Sequence, residues 1–229
     1  MKQVQAEVNL DKWKSLYKMA GFAAIAMLII IPVQIIVFII NPIPGSIENW
    51  FSLFHNNWLL GLIHQDMLYI MNNILVALMY LAFYVALRPK NESLMTVALL
   101  LGLLGIAAYL ASNKSFELLN ISNLYYAAST EEQKFMLLAS GQALLIGWQG
   151  TAFLIYYILN GIALIIISSV ILKSMVFSRT TAVIGLISGV LMMIPSTAGT
   201  IGIIFSLASL IPWYVFSILT AKQFLRMSK

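Results

Sequence analysis

The chain contains no cysteine, only two histidines and few charges. Without cysteine there are no disulfides, thiolate metal sites or thiol nucleophiles. A catalytic zinc generally needs three protein ligands, which His55, His64 and Asp66 would supply only by converging. On one continuous helix His64 and Asp66 point about 160° apart, which argues against a shared metal. No HExxH, GxSxG elbow or Walker loop occurs. Asp66 is the one carboxylate within an apolar span, so an aspartyl pair is excluded as well. The sequence assigns no catalytic residue, no metal site and no cofactor.

The shortage of charge excludes more. Charged residues make up 9% of the chain, against roughly 25% in a soluble domain. What fills their place is hydrophobic, at 61% of 229 residues, with a mean hydropathy of +0.93. At ~20 residues per bilayer crossing, the length accommodates about six spans and short connections. The expected fold is therefore all-α, a polytopic membrane protein forming a single domain over residues 1–229. The spans are placed at about 19–40, 58–87, 93–111, 148–172, 180–197 and 200–221 by their apolar runs. The first is too long for a signal-peptide core and no A-x-A site closes it, so it is expected to be retained.

The net charge of +5 reflects where the basic residues fall, not a nucleic-acid partner. Under six spans, every Lys and Arg except Lys114 and Lys134 falls on one side of the membrane. By the positive-inside rule that side is cytoplasmic and holds both termini. Trp50, Trp58 and Trp148 then sit near the outer boundary, where indole rings commonly settle. Leu118, Ile121, Leu124, Tyr125 and Ala128 share a helical face. The outer segment 113–147 is thus expected to be amphipathic and helical, on the membrane surface between spans three and four. Thr130 and Gln133 have capping-box spacing and open its second helix.

Within this apolar frame, the run GLIHQDMLYIMNNIL (61–75) is conspicuously polar. At about 100° per residue, Gln65, Asp66, Tyr69, Asn72, Asn73, Tyr80 and Tyr84 fall on one arc of the second span. His64 alone breaks the apolar remainder and is expected at the lipid or interface edge. In the fourth span Gln142, Gln149, Tyr156 and Asn160 share a face to within about 40°. An unpaired amide in hydrocarbon is costly, so both stripes are expected to face the bundle interior. They define a candidate ligand-binding set: Asp66, Asn73, Gln65, Tyr69, Asn72, Gln142, Gln149, Tyr156 and Asn160. Two readings of the amides stay open, as glue between helices or as the lining of a ligand path. An intramembrane carboxylate is a functional candidate by default.

Small residues provide packing faces. Thr181, Gly185 and Gly189 recur every four residues, as do Ala198, Gly202 and Ser206, and Gly102 and Gly105 serve the third span likewise. Pro195 and Pro212 are expected to kink or end their helices.

The runs YYAASTEEQ (125–133), GQALL (141–145), GTAF (150–153), VFSRTTA (176–182) and LIPW (210–213), in this order and spacing, resemble a prokaryotic membrane family. It is known only as domain of unknown function 4386. The resemblance is carried by the second half of the chain and implies a six-helix bacterial membrane protein, with no activity to carry over.

Taken together, the residues favour a ligand-binding or transport-related protein with a polar cavity between spans two and four, open to the outer side. A non-catalytic subunit or assembly factor and an intramembrane enzyme using Asp66 are the alternatives. The partners expected are membrane lipids, a small polar or amphiphilic ligand, and a homo-oligomer or membrane partner on the small-residue faces.

Overall fold

The structure is a computed structural model and describes residues 12–148, 150–194 and 199–229. Among these, every regular element is helical. In chain order they are α1 (Lys14–Ile40), α2 (Ile47–Asn56), α3 (Trp58–His64), α4 (Met67–Leu87), α5 (Glu92–Ser112), α6 (Ser115–Ala127), α7 (Glu131–Trp148), α8 (Thr151–Leu172), α9 (Arg179–Met192) and α10 (Gly199–Met227).

Polar caps mark where helices begin. Ser46, Asn57, Asn91 and Ser178 each accept a hydrogen bond from the backbone N–H three residues on, satisfying a donor the first turn leaves free. At α7 the cap is reciprocal: Gln133 N–H donates to Thr130 Oγ1 and Ser129 N–H donates to Gln133 Oε1, both at 3.2 Å. Pro212 lies inside α10, which continues to Met227, so this proline does not end its helix. Pro195 and Ala198 lie outside the described residues.

Five stretches are long and apolar enough to cross a membrane: Lys14–Ile40, Met67–Leu87, Glu92–Ala127, Glu131–Leu172 and Gly199–Met227. Arg179–Met192 is apolar but has 14 residues, about 21 Å of helix against a hydrocarbon core of ~30 Å. The expected second span is not one helix either, because α3 stops at His64 and α4 starts at Met67. The fourth begins at Thr151, after Gly150 adopts an extended conformation that separates α8 from α7.

Six helices close a ring. In the order α1, α4, α5, α8, α9 and α10, each packs on the next and α10 returns to α1. The ring buries one apolar core that includes Met27, Met79, Phe83, Leu164, Phe216 and Phe224. Its outer surface carries large apolar side chains such as Ile29, Leu100, Ile203 and Ile218, the inverse of a water-facing surface and suited to lipid.

Close approach between ring helices is set by glycine. A Cβ on Gly189 would lie 3.0 Å from the Gly161 carbonyl oxygen, and one on Gly161 would lie 3.0 Å from that of Gly189. Gly102 lies against the Tyr80 ring, and Gly105 against Asn160. The glycine faces of α5 and α9 are thus spent on neighbours within the chain.

The two ends of the ring differ. At one, the start of α1, the α4–α5 and α8–α9 connections and the end of α10 gather around a shared pocket. At the other, α2, α3, α6 and α7 form a second layer with its own core of Ile47, Trp50, Phe51, Phe54, Leu62, Leu118 and Trp148. There α6 packs on α2 and α7, with Ser122 Oγ donating to the Phe51 carbonyl at 2.9 Å. Its buried side is Ser115, Leu118 and Ser122. Leu124, expected on a membrane-facing side, is exposed and does not pack on the other helices.

Gly189→Ala forces a methyl group against the Gly161 carbonyl, and overpacking of this kind costs about 1–3 kcal/mol. A thermal-unfolding measurement in detergent is expected to show a lower midpoint. Gly147→Ala, where a Cβ meets nothing within 4 Å, should leave it unchanged or raise it slightly.

Candidate functional site

The polar run noted in the sequence is the junction between α3 and α4. Asp66 has φ 65° and ψ 24°, a left-handed conformation. Asp tolerates this region better than most residues with a Cβ. The turn breaks the helix, so side chains before and after it do not follow one helical phase. His64, expected at the lipid edge, is fully buried instead. Its ring nitrogens lie 3.0 Å from the Leu60 carbonyl and 2.7 Å from the Asn41 carbonyl.

Three further contacts hold the junction. Gln34 Nε2 of α1 donates to the Ile63 carbonyl at 3.0 Å. The Gln65 carbonyl accepts from Asn113 Nδ2 and, at 3.0 Å, from Ser115 Oγ. The Asp66 carboxylate, 7% exposed, accepts Trp148 Nε1–H at 3.1 Å, with the Tyr109 hydroxyl beside it.

Asp66 and Trp148 head a cavity of about 310 Å³ inside the ring. All six ring helices contribute to its wall: Ile31, Ile35 and Phe38 from α1, Tyr69, Asn72, Val76 and Tyr80 from α4, and Tyr109 from α5. Phe153, Tyr156, Tyr157 and Asn160 come from α8, Met192 from α9, and Ser206, Leu207, Ser209, Leu210 and Trp213 from α10. Ile43 completes it beyond α1. The wall is mainly apolar and aromatic with few polar groups, the usual character of a small-molecule pocket.

Of the sequence-derived set, Asp66, Tyr69, Asn72, Tyr156 and Asn160 line this cavity. Asn72 Oδ1 is buried and accepts no hydrogen bond from the protein. Tyr80 O–H donates to Asn160 Oδ1 at 2.7 Å, while Asn160 Nδ2 donates to the Tyr156 carbonyl at 3.0 Å. That pair joins the two expected stripes, although α4 and α8 are not neighbours in the ring: α5 lies between them and each packs mainly on other helices. The cavity is consequently a six-helix chamber and not a cleft between two spans.

The remaining members fall elsewhere. Asn73 is buried just behind the wall, with Nδ2 donating to the Tyr69 carbonyl at 2.9 Å and its amide beside the Tyr156 hydroxyl. The Gln65 side chain is fully buried with neither polar atom bonded, and it does not reach the cavity. Gln142 is exposed and lies along a separate groove with Ser46, Trp50 and Trp148. Its expected alignment with Tyr156 assumed one unbroken helix, and the extended Gly150 removes that phase. Gln149 lies outside the described residues.

A family model described as a domain of unknown function, DUF4386, matches residues 19–222. The chain belongs to this family. Nothing matches it among curated proteins or among solved structures.

In this DUF4386 chain the motifs quoted above take identifiable positions. LIPW supplies Leu210 and Trp213 to the cavity, and GTAF supplies the Gly150 break and Phe153. GQALL places Gly141 against Phe51, and VFSRTTA contributes buried Phe177 and the Ser178 cap. Sequence reasoning passed over Tyr109 and Trp213, read Trp148 only as an interface anchor, and left Tyr80 out of the site. One signal was available: Tyr109 interrupts an otherwise aliphatic third span.

Asp66→Asn tolerates the left-handed backbone, keeps an oxygen for Trp148 and buries no charge, so thermal stability should stay at or above wild type. Asp66→Leu leaves the buried indole N–H unpaired, costing about 1–3 kcal/mol, and adds roughly 1–2 kcal/mol of backbone strain. A clearly lower melting midpoint for Leu but not for Asn is the expected result. Equal loss in both would refute the turn-and-acceptor account.

Proposed function

We propose that this chain is a prokaryotic cell-membrane protein that binds an amphiphilic molecule with a cationic or donor-rich head, in a transport-related role. The carrying observation is the buried Asp66 carboxylate at the head of an aromatic-walled cavity. Among the described residues no Lys or Arg lines that cavity, so no protein cation competes for the carboxylate. Asn72 Oδ1 adds an unpaired acceptor, and acceptors select donors. Tyr69, Tyr156, Tyr157 and Trp213 present rings along the wall, and aromatic faces attract cations at the same time as they pack apolar chains.

The cavity volume of about 310 Å³ is at the lower end of the roughly 300–1,000 Å³ typical of ligand pockets. Two wall residues, Ile43 and Leu207, are 46% and 58% exposed. An apolar rim of that kind supports entry by a molecule already dissolved in the bilayer.

The test uses purified protein in a neutral detergent and four eight-carbon probes: octylamine, octyltrimethylammonium, octanol and octanoate. Quenching or shift of tryptophan emission reports binding near Trp148 and Trp213. The two cations are expected to bind best, and Asp66→Asn to weaken them by about tenfold or more while leaving octanol unchanged. Octanoate binding as tightly as octylamine, or cation binding indifferent to Asp66→Asn, would overturn the proposal.

The proposed orientation has six crossings, counting short α9, with both termini in the cytoplasm. It is supported by the basic residues Lys12, Lys14, Arg88, Lys90, Lys173, Arg179, Lys222 and Arg226, which lie in elements at the pocketed end of the ring, whereas Lys114 and Lys134 belong to the opposite layer. A reporter active only outside the cytoplasm, fused at residue 229, should be silent. A strong signal would reverse the orientation.

A further inference from the structure

The pocket at the basic end is separate from the Asp66 cavity and shares no residue with it. It measures about 810 Å³ and is walled by Trp13, which caps the start of α1, Tyr17 of α1, Arg88 and Lys90 after α4, Lys173 after α8 and Gln223 of α10. Three cations thus converge from two connections. A fourth, Lys12, places its ammonium 5.9 Å from the Trp13 ring.

No acidic side chain lines the pocket among the described residues. The side-chain carboxylates of the described residues are Glu48, Asp66, Glu117, Glu131 and Glu132 toward the opposite end, and Glu92, which opens α5 and does not line the pocket. Two ion pairs between described residues, Lys114–Glu117 and Lys134–Glu131, belong to the opposite layer. Among the described residues, Trp13 Nε1 is buried with no acceptor, an indole donor left over in the wall of a cationic pocket. Gln223 is anchored by donating Nε2–H to the Val176 carbonyl, which ties the end of α10 to the α8–α9 connection and fixes one side of the pocket.

We propose that this pocket binds a phosphate-bearing anion. Arg88 offers a planar fork suited to paired phosphate oxygens, Lys90 and Lys173 add mobile ammonium donors, and the Trp13 N–H completes the set. The rest of the wall includes Val85, Ala86, Val176, Met227 and the fully exposed Met175. Apolar surface next to a basic cluster fits the headgroup and upper chain of an acidic phospholipid better than free phosphate. Basic pockets between helices at this face of a membrane are suited to anionic headgroups.

The experiment uses the full chain in a neutral maltoside detergent, with native mass spectrometry as readout. Phosphatidylglycerol, phosphatidylcholine and glycerol 3-phosphate are titrated separately. One phosphatidylglycerol should bind roughly tenfold more tightly than phosphatidylcholine, and Arg88→Gln combined with Lys173→Gln should remove that preference. Trp13→Phe keeps an aromatic side chain while removing the indole N–H and narrowing the ring, so it should weaken phosphatidylglycerol a few-fold even if the double variant is poorly folded. Lys114→Gln with Lys134→Gln, at the opposite end, should retain wild-type binding. If glycerol 3-phosphate binds as tightly as the lipid and obeys the same variants, the anion is a soluble phosphate. Equal affinity for phosphatidylglycerol and phosphatidylcholine without glycerol 3-phosphate binding, or undiminished anion binding in both pocket variants, would overturn the site.

Discussion

The hydrogen bond from Trp148 Nε1 to the Asp66 carboxylate is the contact around which this structure is arranged. It joins the two places where a long apolar stretch is interrupted, the α3–α4 turn and the end of α7 just before the Gly150 break. Interruptions are costly in a membrane because backbone groups released from a helix have no water to bond. Here they are clustered and paired. The Gln65 carbonyl is covered by Asn113 and Ser115, and the Ile63 carbonyl by Gln34. The layer of α2, α3, α6 and α7 forms over them, with Trp148 reaching from that layer into the ring cavity.

This arrangement explains which parts of the sequence were legible. An apolar run of twenty residues has few ways to satisfy its backbone other than a helix, so composition alone led to the all-helical architecture. The inward turn of Tyr69, Asn72, Tyr156 and Asn160 followed from periodicity, because each lies within a single unbroken helix. His64 and Gln142 were misplaced for one shared reason. Periodicity carries no information across a break, and each lies on the far side of one. The left-handed Asp66 had no dipeptide signature such as Asn-Gly to announce it, and a helical wheel drawn through residue 66 treats it as ordinary helix.

Partner identity across the ring was less accessible still. The Tyr80–Asn160 bond joins residues 80 positions apart, and the Trp148–Asp66 bond spans 82. Neither is encoded in local pattern. Both depend on how the ring closes, and closure depends on small side chains: Gly102 lets α5 meet Tyr80, and Gly105 lets it meet Asn160. Read in sequence, these glycines mark close packing only. In the structure they also position the hydroxyl and amide that meet in the cavity wall.

The chemistry of residue 66 then bears on why it is an acid. Asn adopts the left-handed region as readily as Asp, and its carbonyl oxygen accepts an indole N–H just as well. Burying a neutral amide is far less costly than burying a carboxylate. The turn and the Trp148 contact are thus both served by the cheaper residue, and neither accounts for the acid. Under the proposed function, a cation meeting the acid in the cavity below accounts for it. The flanking Tyr109 hydroxyl and the aromatic wall supply a surface on which such a charge would be held without a lysine or arginine partner. Under the proposed function the carboxylate is kept for its ligand, and the surrounding hydrogen bonds hold it in place until one arrives.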